Sequence, residues 1–167
     1  TMVVTRLIAI LASVAVPQFS AVATQMRTQA VANQVLTDIQ YARVMAQRTG
    51  VPHYIEVTGG AGVNYRVQRS AAPPAISPGT DPVVRSASLG ATMQEVEFTM
   101  NGAATDCFGA DATQATPSSQ LVFNARGLPG GTASYFVGSS DGANSYVVSV
   151  TGAGRARLCR RVAGAWK

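Results

Sequence analysis

Histidine occurs once in this 167-residue chain and cysteine twice. That excludes a multi-histidine metal site and leaves a four-ligand zinc site dependent on carboxylates in unusual roles. Charged residues make up only 13%, about half of ordinary usage. Set beside 47% hydrophobic residues and a mean hydropathy of +0.15, so little charge argues against a disordered chain. Gly and Pro, 16 and 8 residues, are too few for a collagen-like or low-complexity protein. No nucleophile-elbow motif is present, and the single His53 directly follows Pro52 at the start of a strand pattern. A Ser–His–Asp arrangement therefore has no support. Gly59-Gly60-Ala61-Gly62 lacks the spacing and the following helix of a phosphate loop. Asp106 and Asp111 lie near Cys107 without the periodic ligands of a calcium loop. The sequence reads as a non-enzyme without cofactor or metal.

Only one stretch is apolar enough to enter a bilayer. Met2 to Val16 reads MVVTRLIAILASVAV, with Arg6 its single charge, and weakly polar residues continue to Ala23 around Pro17. A helix of about twenty residues reaches across the hydrocarbon core of a membrane, and Pro17 is expected to kink it. Arg6 would be costly at a bilayer centre, so it snorkels to an interface or faces a partner. A secretory signal would end at a small-residue cleavage site, but the helical pattern runs on to Thr49. Val22, Met26, Val31, Val35, Ile39, Ala42 and Ala46 form one stripe, with Gln25, Gln29, Gln34, Asp38, Arg43 and Gln47 on the other side. Such spacing predicts an amphipathic helix, ended by Gly50 and Pro52. The chain thus divides into an apolar half-helix over 1–23, an amphipathic half-helix over 24–50 and a head over 51–167.

The head has period two. Strands are predicted over His53–Thr58, Val63–Arg69, Val83–Leu89, Glu95–Met100, Leu121–Arg126, Ala133–Gly138, Ser145–Val150 and Arg155–Val162. Ala71–Pro82, with four prolines, reads as a loop, and Asn101–Ser119 as irregular. Close spacing and Gly-rich turns imply antiparallel pairing, with the apolar strand faces covering the helix stripe. The fold class is α+β. An even, minimal pair of cysteines in an exported chain favours a Cys107–Cys159 disulfide over two buried thiols.

Charge is uneven. Residues 1–50 hold four Arg and one Asp, and residues 51–150 hold four Arg against seven acids. Residues 151–167 hold Arg155, Arg157, Arg160, Arg161 and Lys167 with no acid, which equals the whole net charge of +5. A basic terminus fits an anionic partner, nucleic acid or lipid head groups, or else a solvated tail.

These features resemble the type IV pilin superfamily, and within it the GspH/FimT group of minor pilins and pseudopilins. The resemblance is carried by AILASVAVPQF at the helix start and by Leu36, Asp38, Gln40, Ala42, Arg43, Ala46, Arg48 and Val51 near the helix end. LVFNARGLP (Leu121–Pro129) and VVSVTGAGRARLC (Val147–Cys159) add to it. It covers nearly the whole chain. One departure is that the family's mature chain begins with Phe, followed shortly by a Glu thought to pair with a neighbour's amine. Here the first residue is Thr1 and the first acid is Asp38. Judged by Pro17, either those few residues precede this sequence or the assembly contact differs.

The resemblance implies a long helix on an antiparallel head and a structural role. The subunit would be held in the bacterial inner membrane by its helix and then assembled with other pilin subunits into an extracellular type IV pilus. The alternative is a minor pseudopilin in the periplasmic pseudopilus of a type II secretion system. Physically, an all-apolar half-helix on a polar head is satisfied only by lipid or by its own kind. Some FimT-like pilins carry a G-R-x-R run similar to Gly154–Arg157 and are implicated in capturing double-stranded DNA for transformation. In a strand, Arg155 and Arg157 share a face at roughly 6.5–7 Å. Arg160, Arg161 and Lys167 are expected to extend a sequence-independent, salt-sensitive patch, with Trp166 either stacking on a base or packing on its own head. Basic residues in this strand that merely contact neighbouring pilins are the competing explanation.

Overall fold

The computed structural model describes the backbone of residues 2–58, 64–88, 96–100, 107, 120–139, 145–162 and 165–166, and side chains within these ranges except at 2–21, 58, 64, 88, 96–100, 139, 161–162 and 165–166. A single helix, α1 (Met2–Thr49), runs unbroken through Pro17. It stops where Gly50, at φ 66°, turns left-handed and donates its N–H to the Ala46 carbonyl at 3.0 Å, a conformation that suits glycine at a helix end.

The strands are β1 (His53–Thr58), β2 (Asn64–Arg69), β3 (Val83–Ser88), β4 (Val96–Met100), β5 (Gln120–Phe123), β6 (Ala133–Ser139), β7 (Ser145–Val150), β8 (Ala156–Val162) and β9 (Ala165–Trp166). They form two antiparallel sheets, ordered β3-β2-β1-β5 and β4-β6-β7-β8-β9. The helix lies against both sheets, touching β1 and β5 in one and β6, β7 and β8 in the other. The α+β arrangement expected from the sequence is the one observed.

Val31, Ala32, Val35, Ile39, Ala42 and Ala46 on α1 meet Ile55, Tyr65, Val67, Leu121 and Phe123 of one sheet and Tyr135, Val137, Val148 and Val150 of the other in one buried core. Each fully buried Val or Ile is worth about 1.5–3 kcal/mol as an upper bound. The covered stripe is shorter than expected, since Val22 is 50% exposed and Met26 66%. Both lie N-terminal to the part of the helix that the sheets cover. Among the described residues no helix is long and apolar enough to cross a membrane, and the side chains of the apolar run 2–21 lie outside them.

The polar side of the helix needs a correction. Asp38 is only 4% exposed. Its Oδ2 accepts the Tyr65 hydroxyl at 2.6 Å and its Oδ1 the Arg85 guanidinium at 2.6 Å. Arg85 also lies 5.0 Å over the Tyr41 ring. Asp38 thus ties the helix to β2 and to the edge strand β3, so its carboxylate is partnered and not solvated. Burial, followed by the Asp38 carboxylate, pushes the Tyr65 hydroxyl well above its ordinary pKa.

The proline loop covers the other face of β1. Tyr54 is fully buried and donates to Asp81 Oδ2 at 2.9 Å. Asp81 also accepts the N–H groups of Ser77 at 2.7 Å and Ala71 at 3.0 Å. These backbone donors hold its carboxyl below the usual range.

The strands differ from the sequence reading in several places. The strand expected over 121–126 ends at Phe123, because Asn124 Oδ1 accepts the N–H groups of Arg126 and Leu128 at 2.9 and 3.0 Å and folds the chain into a turn. Arg155 precedes β8 and sits in the preceding turn, where the Thr151 N–H reaches its carbonyl at 3.0 Å. The pair β9 was not expected. Residues 101–106 and 108–119 of the irregular stretch lie outside the described residues.

Candidate functional site

The site begins with two helix side chains one turn apart. Arg43 and Gln47 are an i, i+4 pair and so share a face of α1. Arg43 donates to the Gly154 carbonyl at 2.7 Å, and Gln47 Nε2 to the Arg126 carbonyl at 3.2 Å. The helix thereby holds two turns side by side: Asn124–Gly127 after β5, and Thr151–Arg155 between β7 and β8. Both turns contain a left-handed glycine, Gly127 at φ 70° and Gly154 at φ 76°. The approach is also close at both glycines. A Cβ on Gly127 would fall 2.5 Å from Gln47 Cγ, and one on Gly154 would fall 3.1 Å from Arg43 Nε and 3.2 Å from the Gly127 carbonyl oxygen. The two turns therefore touch at their glycines.

The basic strand leaves from the second turn. Arg155, Arg157 and Arg160 are all exposed. Strand alternation places Arg157 on the side of Cys159, while Arg160 falls with Ala156 and Leu158, which pack toward the core; Arg155 lies in the turn before β8, so alternation does not give it the face it was expected to share with Arg157. Arg160 therefore does not share the strand face of Arg157. Arg161 pairs with Trp166 through the backbone; the side chains of both lie outside the described residues, as does Lys167. The backbone of Trp166 lies in β9.

Cys107 and Cys159 are joined in a disulfide with Cα atoms 5.7 Å apart. The Cys107 N–H reaches Ser149 Oγ at 3.4 Å. The bond fixes Cys107 over the face of β7 and β8 that looks away from the helix, beside Arg157.

The sequence reading missed Arg126. It is exposed and stands next to Gly127 as Arg155 stands next to Gly154, so the touching turns bring the two arginines into one neighbourhood. No periodicity marks it. The signal was the Asn-Ala-Arg-Gly turn, read instead as the end of a strand. Two of the described carboxylates are engaged elsewhere: Asp38 with Tyr65 and Arg85, and Asp81 within its loop; Glu56 lies on β1, opposite Arg66 in the strand register. Asp106 and Asp111 lie outside the described residues. Among the described residues no cluster of His, Cys, Asp and Glu has the make-up to hold a metal.

His53 is buried at the start of β1, with Nδ1 2.8 Å from the Val51 carbonyl and Nε2 without a hydrogen-bond partner. Burial lowers its pKa below the ordinary 6.5, the Val51 carbonyl partly opposes that, and Arg69 adds to it. It is a structural residue of the strand.

Residues 31–154 match the family described as Type II transport protein GspH. The fold is similar to that of the type IV minor pilin FimU of Pseudomonas aeruginosa strain PAO1, with a TM-score of 0.57 at 16% identity over 83% of this chain and 91% of that one. A second crystal form of FimU gives 0.53 at 18% identity, covering 83% and 96%. The minor pseudopilin EpsH from the Type 2 Secretion System of Vibrio cholerae gives 0.54 at 11% identity, covering 79% and 95%. At these identities the structural likeness speaks for the fold alone. No curated protein matches the chain significantly.

Proposed function

The chain belongs to the GspH family of the type IV pilin group, and from that premise we propose that it is a structural subunit, a minor pilin, of a type IV pilus filament. One observation carries the reading. The apolar stripe of α1 is buried from Val31 to Ala46 but continues onto Val22 and Met26, which the head leaves exposed, and beyond them the sequence from Met2 to Val16 is apolar except for Thr5, Arg6 and Ser13. A helix that extends past its own head with apolar side chains uncovered needs lipid or other helices around it. In this account the inner membrane surrounds that half before assembly, and the helices of neighbouring subunits, copies or relatives, surround it in the extracellular filament.

The family description favours a second reading, a minor pseudopilin of a type II secretion system whose filament stays in the periplasm. Deleting the gene and scoring twitching, secretion and transformation separately divides the two. Loss of twitching or transformation with intact secretion supports the pilus; loss of secretion alone supports the pseudopilus.

Exposed Arg155 and Arg157 support a further role, sequence-independent binding of double-stranded DNA through phosphate contacts. In a gel-shift assay, charge reversal at both positions abolishes DNA retention; unchanged retention removes DNA binding from the account.

A further inference from the structure

Resting on that DNA reading, we infer that the duplex-binding surface is not the β8 arginine run alone but a two-turn surface in which Arg126 is a second, independent phosphate contact. Three observations carry it. The turns holding Arg126 and Arg155 touch, since a Cβ on Gly154 would come within 3.2 Å of the Gly127 carbonyl oxygen. Each turn is fixed to the same helix face through a backbone carbonyl, by Gln47 at Arg126 and by Arg43 at Gly154. Both arginine side chains are exposed, and the carboxylates of Asp38 and Asp81 are occupied elsewhere. Duplex DNA offers a charge about every 1.7 Å along its axis, so guanidinium groups from adjacent turns meet separate phosphates. Turns already held by the helix lose little freedom on binding, which lowers the ordering cost. The fork of each guanidinium suits a phosphate.

The test is the salt dependence of binding, measured by fluorescence anisotropy on the full chain in neutral detergent with a labelled duplex of mixed sequence. Arg126→Gln keeps the backbone carbonyl that Gln47 uses, so the turn stays in place; unchanged circular dichroism checks this, and Arg126→Lys preserves charge as a second variant. Arg66→Gln, on β2 opposite Glu56, removes the same charge elsewhere. The expected result is a several-fold loss of affinity for Arg126→Gln. The slope of log K against log salt should become shallower by about one, as for Arg155→Gln, with most of the affinity kept by Arg126→Lys and no slope change for Arg66→Gln. If Arg126→Gln matches the wild type while Arg155→Gln and Arg157→Gln weaken binding, the two-turn surface is overturned and the DNA reading stands. If Arg126→Gln and Arg66→Gln shift the slope equally, the effect is net charge and the inference also fails. If the wild-type chain binds no duplex at any salt concentration, both fall together.

Discussion

Arg43 on α1 donates to the carbonyl of Gly154, 111 residues further along the chain, at 2.7 Å. That bond seats the turn that launches the basic strand, and it passes close to where a side chain at Gly154 would stand. Gly154→Ala places a Cβ 3.1 Å from Arg43 Nε on a backbone at φ 76°. The left-handed strain and the crowding together cost about 2 kcal/mol. Thermal unfolding of Gly154→Ala should show a lowered Tm, whereas Ala153→Gly, at the exposed turn tip, should leave it nearly unchanged.

The Asp38 cluster makes a second prediction. Asp38→Ala leaves the Tyr65 hydroxyl and the Arg85 guanidinium without their shared acceptor. Arg85 is 48% exposed, so water compensates part of the loss, and the expected cost is about 2 kcal/mol. Tyr65→Phe removes one hydrogen bond, at about 1 kcal/mol. Denaturant unfolding of both variants and the double mutant should show that the costs do not add, because both remove the same contact. Simple additivity would contradict a direct Asp38–Tyr65 bond.

Much of this was legible in the sequence, and the failures have physical causes. The helix end at Gly50 and the paired strands followed from period and turn residues, which act locally. Helix spacing sets Asp38 opposite the apolar stripe and does not show its burial, because its partners Tyr65 and Arg85 come from two distant strands. Arg126 was overlooked for the same reason. Its proximity to Arg155 is made by Gly127 and Gly154, whose need for close approach is invisible until the chain is folded. Grouping Arg160 with Arg155 and Arg157 counted charge and ignored strand alternation.

Cys107 and Cys159, 52 residues apart, close a long loop. Reduction, or replacement of both by Ser, should cost about 2–4 kcal/mol, read as a drop in denaturation midpoint. Loss of the bond frees the segment at Cys107 from β8. A midpoint insensitive to reductant would show that the bond contributes nothing to stability.

His53 sets a pH dependence. Its folded pKa lies below the ordinary 6.5, so as pH falls through 6.5 the unfolded chain takes up a proton that the folded chain does not. Stability is therefore full above that pH, declines as pH falls toward the folded value, and then levels off for this group. His53→Asn keeps a donor for the Val51 carbonyl and cannot ionise in this range. Its Tm should be flatter than that of the wild type between pH 7 and 5. Identical slopes would remove His53 as the cause.

The filament role proposed for this chain rests on the helix segment that its own head leaves bare. The direct measurement is immunoblotting of sheared filaments and of membrane and soluble fractions from cells expressing the wild-type chain or Met26→Asp. The wild type is expected in the membrane and filament fractions, and Met26→Asp folded but depleted from filaments. Wild-type protein found only in the soluble fraction, or Met26→Asp incorporated as well as the wild type, would contradict it.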